Sequence, residues 1–266
     1  AFYIHWKGWI GWHFFVGITI IISLIDMAIV DKQIIEPSKK SYRQATITKK
    51  SLHSSYLQTD EIIRFLQKDK SQFRILPLIP LQNENRWSAF QIESIEGYHP
   101  AKIFRYNQVK DEVGWNSLGI LQMLNVKYII SLEELPHPAF EYVFSGDLFY
   151  QGKYQKCNVY KFKYFMPRAF FVEKLQKISQ DDVQLQTLRK SGFNPLTASF
   201  VEHDLQDFEY SAEAGVEIVH WTPDKIEFQL DVSSKQFLVI SEIFYPEGWK
   251  ITSHPNWGIH PVNTIL

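Results

Sequence analysis

The chain carries one cysteine, Cys157, so no internal disulfide can brace it, and no zinc-ligand set is present. It also lacks an excess of charge of either sign. With 28 basic and 29 acidic residues the net charge is −1, which argues against a surface built mainly to grip nucleic acid. The familiar catalytic signatures are missing too: there is no H-E-x-x-H pair, G-x-S-x-G elbow, P-loop or G-x-G-x-x-G turn. His254 and His260 are close in sequence but have no acidic third ligand beside them. Asp181 and Asp182 fall where a helix begins and read as partners of its dipole, not as a catalytic pair. A soluble hydrolase therefore has neither a nucleophile nor a paired acid to rest on. Internal repeats and low-complexity tracts are absent.

One further absence is local. No residue from Gly8 to Ile25 is charged, and the apolar run resumes after Asp26 with Met27, Ala28, Ile29 and Val30. A bilayer core needs roughly 20 apolar residues in a helix, and residues 1–30 supply them, with Trp6, Trp9 and Trp12 as interfacial aromatics at one end. Ile18, Ile20, Ile21, Ile22, Leu24 and Ile25 leave no polar face, unlike an amphipathic surface helix. A cleaved signal peptide fits less well, because there is no basic start and no small-residue cleavage site. The first residue is Ala1, which suggests a piece of a longer protein with earlier helices.

What the sequence has in plenty is aromatic rings, at 15% of residues: 8 Trp, 13 Tyr and 20 Phe. Such rings suit membrane interfaces, sheet cores and sugar-stacking surfaces alike. Residues 31–56 are polar and aperiodic and read as a juxtamembrane linker. Residues 57–165 read as an α/β region. Thr59 suits an N-cap for a helix to about Asp69, and a strand follows from Phe73 to Ile79, short or at an edge because of Pro77 and Pro80. A second helix is expected from Pro100 to about Val113. A third runs from Leu118 to Asn125 and leads into a strand, Val126 to Ser131. Tyr160, Phe162 and Tyr164 alternate with lysines in a further strand, Val159 to Phe165.

Residues 166–266 read as β-rich, interrupted by a helix from Asp181 to Lys190. Val216–Trp221, Ile226–Val232 and Phe237–Tyr245 are the expected strands, in an antiparallel sheet or sandwich whose last hairpin looks truncated at Leu266. The fold class is thus α+β: an N-terminal transmembrane helix, a small α/β layer and a mainly antiparallel β region.

Two clusters invite a ligand. In Gly97-Tyr98-His99-Pro100-Ala101-Lys102 with Arg105-Tyr106, a helix opening at Pro100 would aim free N–H groups outward, with Lys102, Arg105 and Tyr106 on one face. An anion such as phosphate suits that corner, with Tyr98 and His99 beside it. The plainer reading is that Tyr98 packs and the basic pair is solvated or ion-paired. In Ser241–Lys250, Glu242, Tyr245 and Trp249 suit a sugar by stacking and hydrogen bonding, or equally a strand end with Trp249 covering the core.

These segments, with Met123-Leu124-Asn125-Val126-Lys127-Tyr128-Ile129-Ile130 and Pro167-Arg168-Ala169-Phe170-Phe171-Val172, resemble in order and spacing the C-terminal part of the YfhO family of bacterial multispanning membrane proteins. The resemblance implies a multi-pass cell-membrane protein similar to GT-C glycosyltransferases. Such enzymes use a polyprenyl-phosphate-linked sugar donor to glycosylate envelope polymers. It also implies a catalytic carboxylate outside this chain and an extracytoplasmic soluble region that binds the acceptor or lipid carrier. The implied partners are the lipid bilayer and a polyprenyl-phosphate lipid or envelope glycopolymer. A non-catalytic, membrane-anchored assembly or carbohydrate-binding module is the alternative. After Gly248-Trp249-Lys250 the family usually has a hairpin with an Asp-Gly turn, where this chain has Ile251 to His260. Lys32, Lys39, Lys40, Arg43, Lys49 and Lys50, against Asp31 and Glu36, favour the cytoplasm for the soluble region by the positive-inside tendency, opposite to the resemblance.

Overall fold

The computed structural model describes residues 11–35, 54, 56–205 and 208–266. Trp6, Trp9 and most of the 31–56 linker, with its lysines from Lys39 onward, lie outside the described residues. The chain divides into two compact units, residues 1–58 and 59–266.

The first unit contains helix α1, Trp12–Ile35, whose 24 residues include none that is buried. At 1.5 Å per residue it is about 36 Å long, enough for a hydrocarbon core of about 30 Å. Its length and composition suit a membrane span. It continues five residues beyond Val30, taking in Asp31 and Lys32, which the sequence places in the linker.

The second unit is mixed α and β. Its sheet has the order β2-β1-β3-β5-β4, with β1 at Arg74–Pro77, β2 at Glu93–Ser94, β3 at Val126–Ser131, β4 at Phe140–Tyr150 and β5 at Lys153–Phe162. Strands β2, β1 and β3 are parallel, whereas β3, β5 and β4 pair antiparallel. Despite its prolines β1 is not an edge strand: it lies between β2 and β3 and is buried throughout. Pro77 is its last residue, the position where a missing donor costs the ladder least.

Helix α2, Glu61–Lys68, packs Ile62, Ile63 and Leu66 beneath this sheet. Its N-cap is Asp60, one residue later than expected, because the Asp60 carboxylate accepts the Ile63 N–H at 2.9 Å. The same carboxylate accepts the Phe149 N–H at 3.1 Å and an N–H of buried Arg86, tying the helix start to β4. Between β1 and β3 the chain crosses over through α3, Phe104–Glu112, and α4, Leu118–Met123. Asn125, at φ 57°, ends α4 and turns the chain into β3, a backbone state asparagine tolerates better than most residues. The β4–β5 hairpin turns at Gln151 and Gly152, both at positive φ, and β5 starts earlier than the sequence suggests.

Among the described residues the β-rich half forms three two-stranded sheets and no continuous one. Its strands are β6 (Ala169–Phe171), β7 (Leu175–Lys177), β8 (Ser199–Val201), β9 (Gly215–Thr222), β10 (Lys225–Asp231) and β11 (Leu238–Ile240). They pair as β6 with β11 and β9 with β10, both antiparallel, and β7 with β8, parallel. Helix α5, Asp181–Arg189, lies between β7 and β8 in sequence, and Leu185 and Leu188 join the larger core. That core runs from α4, β3 and β5 into β6, β8 and the last residues. Val262, Ile265 and Leu266 are buried in it, and Asn263 exchanges backbone hydrogen bonds with Phe200 through both its side chain and its N–H.

Candidate functional site

A cleft of about 360 Å³ opens where the start of α3 meets the segment after β11 and the chain's last residues. Ile103, Phe104, Arg105 and Tyr106 line one wall, Ile243 to Pro246 another, and Glu202, Pro261, Thr264 and Ile265 close it. Most of this lining is apolar or aromatic. Its charged members are Arg105 and Glu202, paired at 2.7 Å, with Asp181 a further 3.7 Å from the same guanidinium.

Helix α3 does not begin at Pro100. Asn85 grips the backbone of Tyr98 from both sides, accepting its N–H at 2.8 Å and donating to its carbonyl at 2.7 Å, and His99 folds back with Nδ1 2.7 Å from the Ala101 carbonyl. These contacts accompany a non-helical backbone over residues 97–101. Gly97 sits at φ 151° with Asn85 Oδ1 2.9 Å from where a Cβ would stand, so a side chain there would clash. The helix starts only at Phe104, after an extended Ile103 with no side-chain cap. Lys102 therefore precedes the helix and does not share a helical face with Arg105 and Tyr106, which removes the helix opening at Pro100 as an anion corner.

Tyr106 is fixed from below. Its hydroxyl donates to the Ile95 carbonyl at 2.6 Å and its ring rests on Trp115, 5.6 Å away between centroids. Burial pushes its pKa up, against the pull of Arg74, so it stays a neutral phenol. Trp115 donates to Glu96 at 2.6 Å, and Glu96 also binds Lys110. Opposite, the Phe244 N–H donates to Ile265 at 2.9 Å, the Gly248 N–H donates to Tyr245 at 2.9 Å, and Tyr245 stands 53% exposed. Of the residues singled out from the sequence, the cleft gathers Arg105, Tyr106 and Tyr245; Tyr98, His99, Lys102, Glu242 and Trp249 are not in its lining.

Glu242 faces inward instead. It lies 2.9 Å from Arg74 and 3.4 Å from Arg168, while Glu93 lies 3.1 Å from Arg74 and 2.8 Å from Arg168. Four charges alternate around a ring whose arginine side chains are 8% and 1% exposed. Burial and the Arg74 charge lower the pKa of Arg168, and Glu93 and Glu242 act against them. Arg74 also donates to the Ser241 carbonyl at 2.6 Å, and Ser241 Oγ donates to the Met123 carbonyl at 2.6 Å. The ring thus joins β1, β2 and the end of α4 to β6 and β11. Arg168 lies in the resemblance segment Pro167–Val172 but was given no role from the sequence, and Arg74 and Glu93 belong to no motif. The available signal was an isolated arginine inside each of two apolar strand patterns, which a folded chain accommodates only with a buried partner.

The remaining resemblance segment is also accounted for by packing. Lys127 lies 5.2 to 5.8 Å from the ring centres of Phe73, Tyr128 and Phe165 and binds Asp69. Burial acts to raise the Asp69 pKa, but Lys127, Ser71 and Tyr128 outweigh it and hold the carboxyl at about 2. Among the described residues no group of three or more His, Cys, Asp or Glu side chains is placed to hold a metal ion. The chain matches no family model, no curated protein and no solved structure.

Proposed function

We propose that residues 59–266 form the extracytoplasmic ligand-binding region of a membrane protein related to the YfhO family and similar to GT-C glycosyltransferases, and that the cleft at Arg105 and Tyr245 receives a polyprenyl-phosphate carrier or lipid-linked acceptor. The observation that carries this reading is convergence. Two segments of the resemblance, Gly97–Tyr106 and Ser241–Lys250, are far apart in the chain yet supply facing walls of one cleft.

The chemistry of the lining fits an amphipathic ligand. Ile103, Phe104, Tyr245 and Pro246 offer apolar surface to an isoprenoid, and Arg105 offers a guanidinium to a phosphate. Arg105 is engaged by Glu202, but both side chains are well solvated, at 39% and 27% exposure, so that pair is worth only about 0.2–1 kcal/mol. A phosphate bound by charge-assisted hydrogen bonds contributes about 1.5–3 kcal/mol and displaces Glu202. The alternative of a carbohydrate-binding module loses the carboxylate it relied on, since Glu242 is occupied by Arg74 and Arg168.

Binding of a polyprenyl phosphate to the full chain in detergent tests the proposal. Arg105→Ala is expected to weaken binding about ten-fold without lowering the thermal midpoint. Unchanged affinity in both Arg105→Ala and Tyr245→Ala sinks the reading, and so does a loss of affinity that merely follows unfolding. Sidedness is tested with Glu213→Cys in cells, because Cys157 is buried and its thiol is pushed up to about 12, leaving it silent to thiol reagents. Labelling only after the membrane is breached refutes the extracytoplasmic placement.

A further inference from the structure

Around the mouth of the cleft stand large apolar side chains that none of the described residues covers. Phe104 is 77% exposed, Tyr245 53% and Ile103 44%, and all three line the cleft. The loop from Thr252 to His260 leaves and rejoins the same region, between Trp249, whose indole donates to Ile243, and Pro261, which lines the cleft. Every residue of that loop is exposed, and it carries Trp257 at 54% and Ile259 at 42%. His254 stacks on Trp257 at 4.3 Å between ring centres, so the indole is presented on a built turn closed by the Trp257 N–H to the His254 carbonyl at 3.0 Å.

We propose that this rim is a bilayer-docking surface: Phe104, Tyr245, Trp257 and Ile259 enter the headgroup region of an anionic membrane, so that the cleft opens onto lipid and not onto water. The proposal rests on the reading of α1 as a membrane span and goes beyond it by naming the face of the module that meets the bilayer.

Two observations select a bilayer as the occupant. The rim belongs to the same chain as a helix of membrane-spanning length and composition, so a bilayer is always within covalent reach. The charges beside the rim also suit anionic headgroups. Segments 97–106 and 245–261 contain Lys102, Arg105 and Lys250 against Glu247, and since Arg105 is answered by Glu202 and Asp181, Lys102 and Lys250 are the cations that would meet headgroups. Lys102 and Lys250 are exposed, and tryptophan and tyrosine with flanking lysines are the residues that favour the membrane interface.

The test uses the full 266-residue chain reconstituted in vesicles of phosphatidylethanolamine, with and without phosphatidylglycerol. Single nitroxide labels are placed at Ala101→Cys and Asn256→Cys, which leave the rim side chains intact, at Lys153→Cys in the β4–β5 turn, and at Ser23→Cys in α1. Accessibility to oxygen is compared with accessibility to a water-soluble nickel complex. The expected result is a several-fold higher oxygen-to-nickel ratio at 101 and 256 than at 153. It rises when phosphatidylglycerol is present, and the rise is lost in Lys102→Glu with Lys250→Glu. Labels at 101 and 256 as aqueous as 153, with 23 lipid-like, overturn the docking surface and leave the membrane span standing. Labels at 101 and 256 shielded from both probes show a protein partner, such as a second copy, and overturn it equally. An aqueous label at 23 removes the membrane span itself, and the docking surface with it.

Discussion

Phe162 and Phe228 are both strand phenylalanines with alternating neighbours, yet one is wholly buried and the other only partly. Phe162 belongs to β5, an interior strand with β3 on one side and β4 on the other. Phe228 belongs to β10, whose partner among the described strands is β9 alone, and no residue of either strand is fully buried. The difference teaches what a strand pattern does and does not encode. Alternation says that one face is apolar. How deeply that face is buried depends on how many strands and helices the rest of the chain brings to it. The first half of the module brings α2, α3, α4 and a five-stranded sheet, and the second brings short pairs.

The same truncation on the two sides measures this contrast. Phe162→Ala empties a site with 0% exposure and is expected to cost about 3–5 kcal/mol in urea unfolding. A loss below about 1 kcal/mol would mean that the β5 core does not carry the module. The charge ring that joins the halves comes next. Arg168→Ala leaves Glu93 and Glu242 with half their compensation, and breaking a buried pair costs about 3–5 kcal/mol. Because Glu93 and Glu242 retain 30% and 19% side-chain exposure, the lower end, about 3 kcal/mol, is expected. Arg168→Met combined with Glu93→Gln should recover part of that loss. If the double variant is worse than the single one, the ring is not a mutually compensating unit.

A smaller effect is expected at the end of the chain. Asn263 is 0% exposed, accepts the Phe200 N–H at 3.0 Å and donates to Ser199 Oγ at 3.0 Å. Asn263→Ala leaves the Phe200 N–H unsatisfied in a buried place, a cost of about 1–3 kcal/mol, read as a lower thermal midpoint. Asn263 also stands at φ 50°, which asparagine tolerates better than alanine. An unchanged midpoint would show that residues 262–266 detach without consequence for β8.

How much of this was legible beforehand divides along the same line. Local signals located α1, α2, α4, α5, β3 and the β9–β10 hairpin, because each is written in contiguous residues: an uncharged run, acidic residues at a helix start, a period of two. The run Phe237–Tyr245 misled, since only Leu238–Ile240 pairs with β6. Ser241 still donates its N–H to the Arg168 carbonyl at 2.7 Å, but its own carbonyl accepts from Arg74 and Arg168, and the Glu242 carboxylate pairs with the same two arginines. Those partners lie 167 and 73 residues away for Ser241, and no local pattern announces such pairings. Helix α3 started late for a related reason. Asn85 reaches across thirteen residues to hold Tyr98, which a reading of Pro100 as a helix opener has no means to register. The cleft was half visible: Arg105, Tyr106 and Tyr245 were singled out in two separate clusters, and only the fold shows that they share a space.

The smallest expected effect tests the hairpin itself. Phe228 faces Ile218 across the β9–β10 ladder, beside a register shift at Glu227, and both side chains are half-buried. Full burial of a phenylalanine contributes about 1.5–3 kcal/mol, so this partly buried ring contributes about 1–2 kcal/mol, and Phe228→Ala leaves no closed cavity to add to that cost. The expected loss is therefore about 1–2 kcal/mol, less than for Phe162→Ala, with an unchanged slope of unfolding against urea. Hydrogen exchange sharpens the point. Amides of β9 and β10 should exchange through local opening well before those of β3 and β5, which exchange only with global unfolding. If Phe228→Ala costs as much as Phe162→Ala, or if the hairpin amides are protected like those of β5, then the apolar face of the hairpin is covered in solution by something other than the described residues. The contrast between the two halves would then belong to the isolated chain and not to the protein at work.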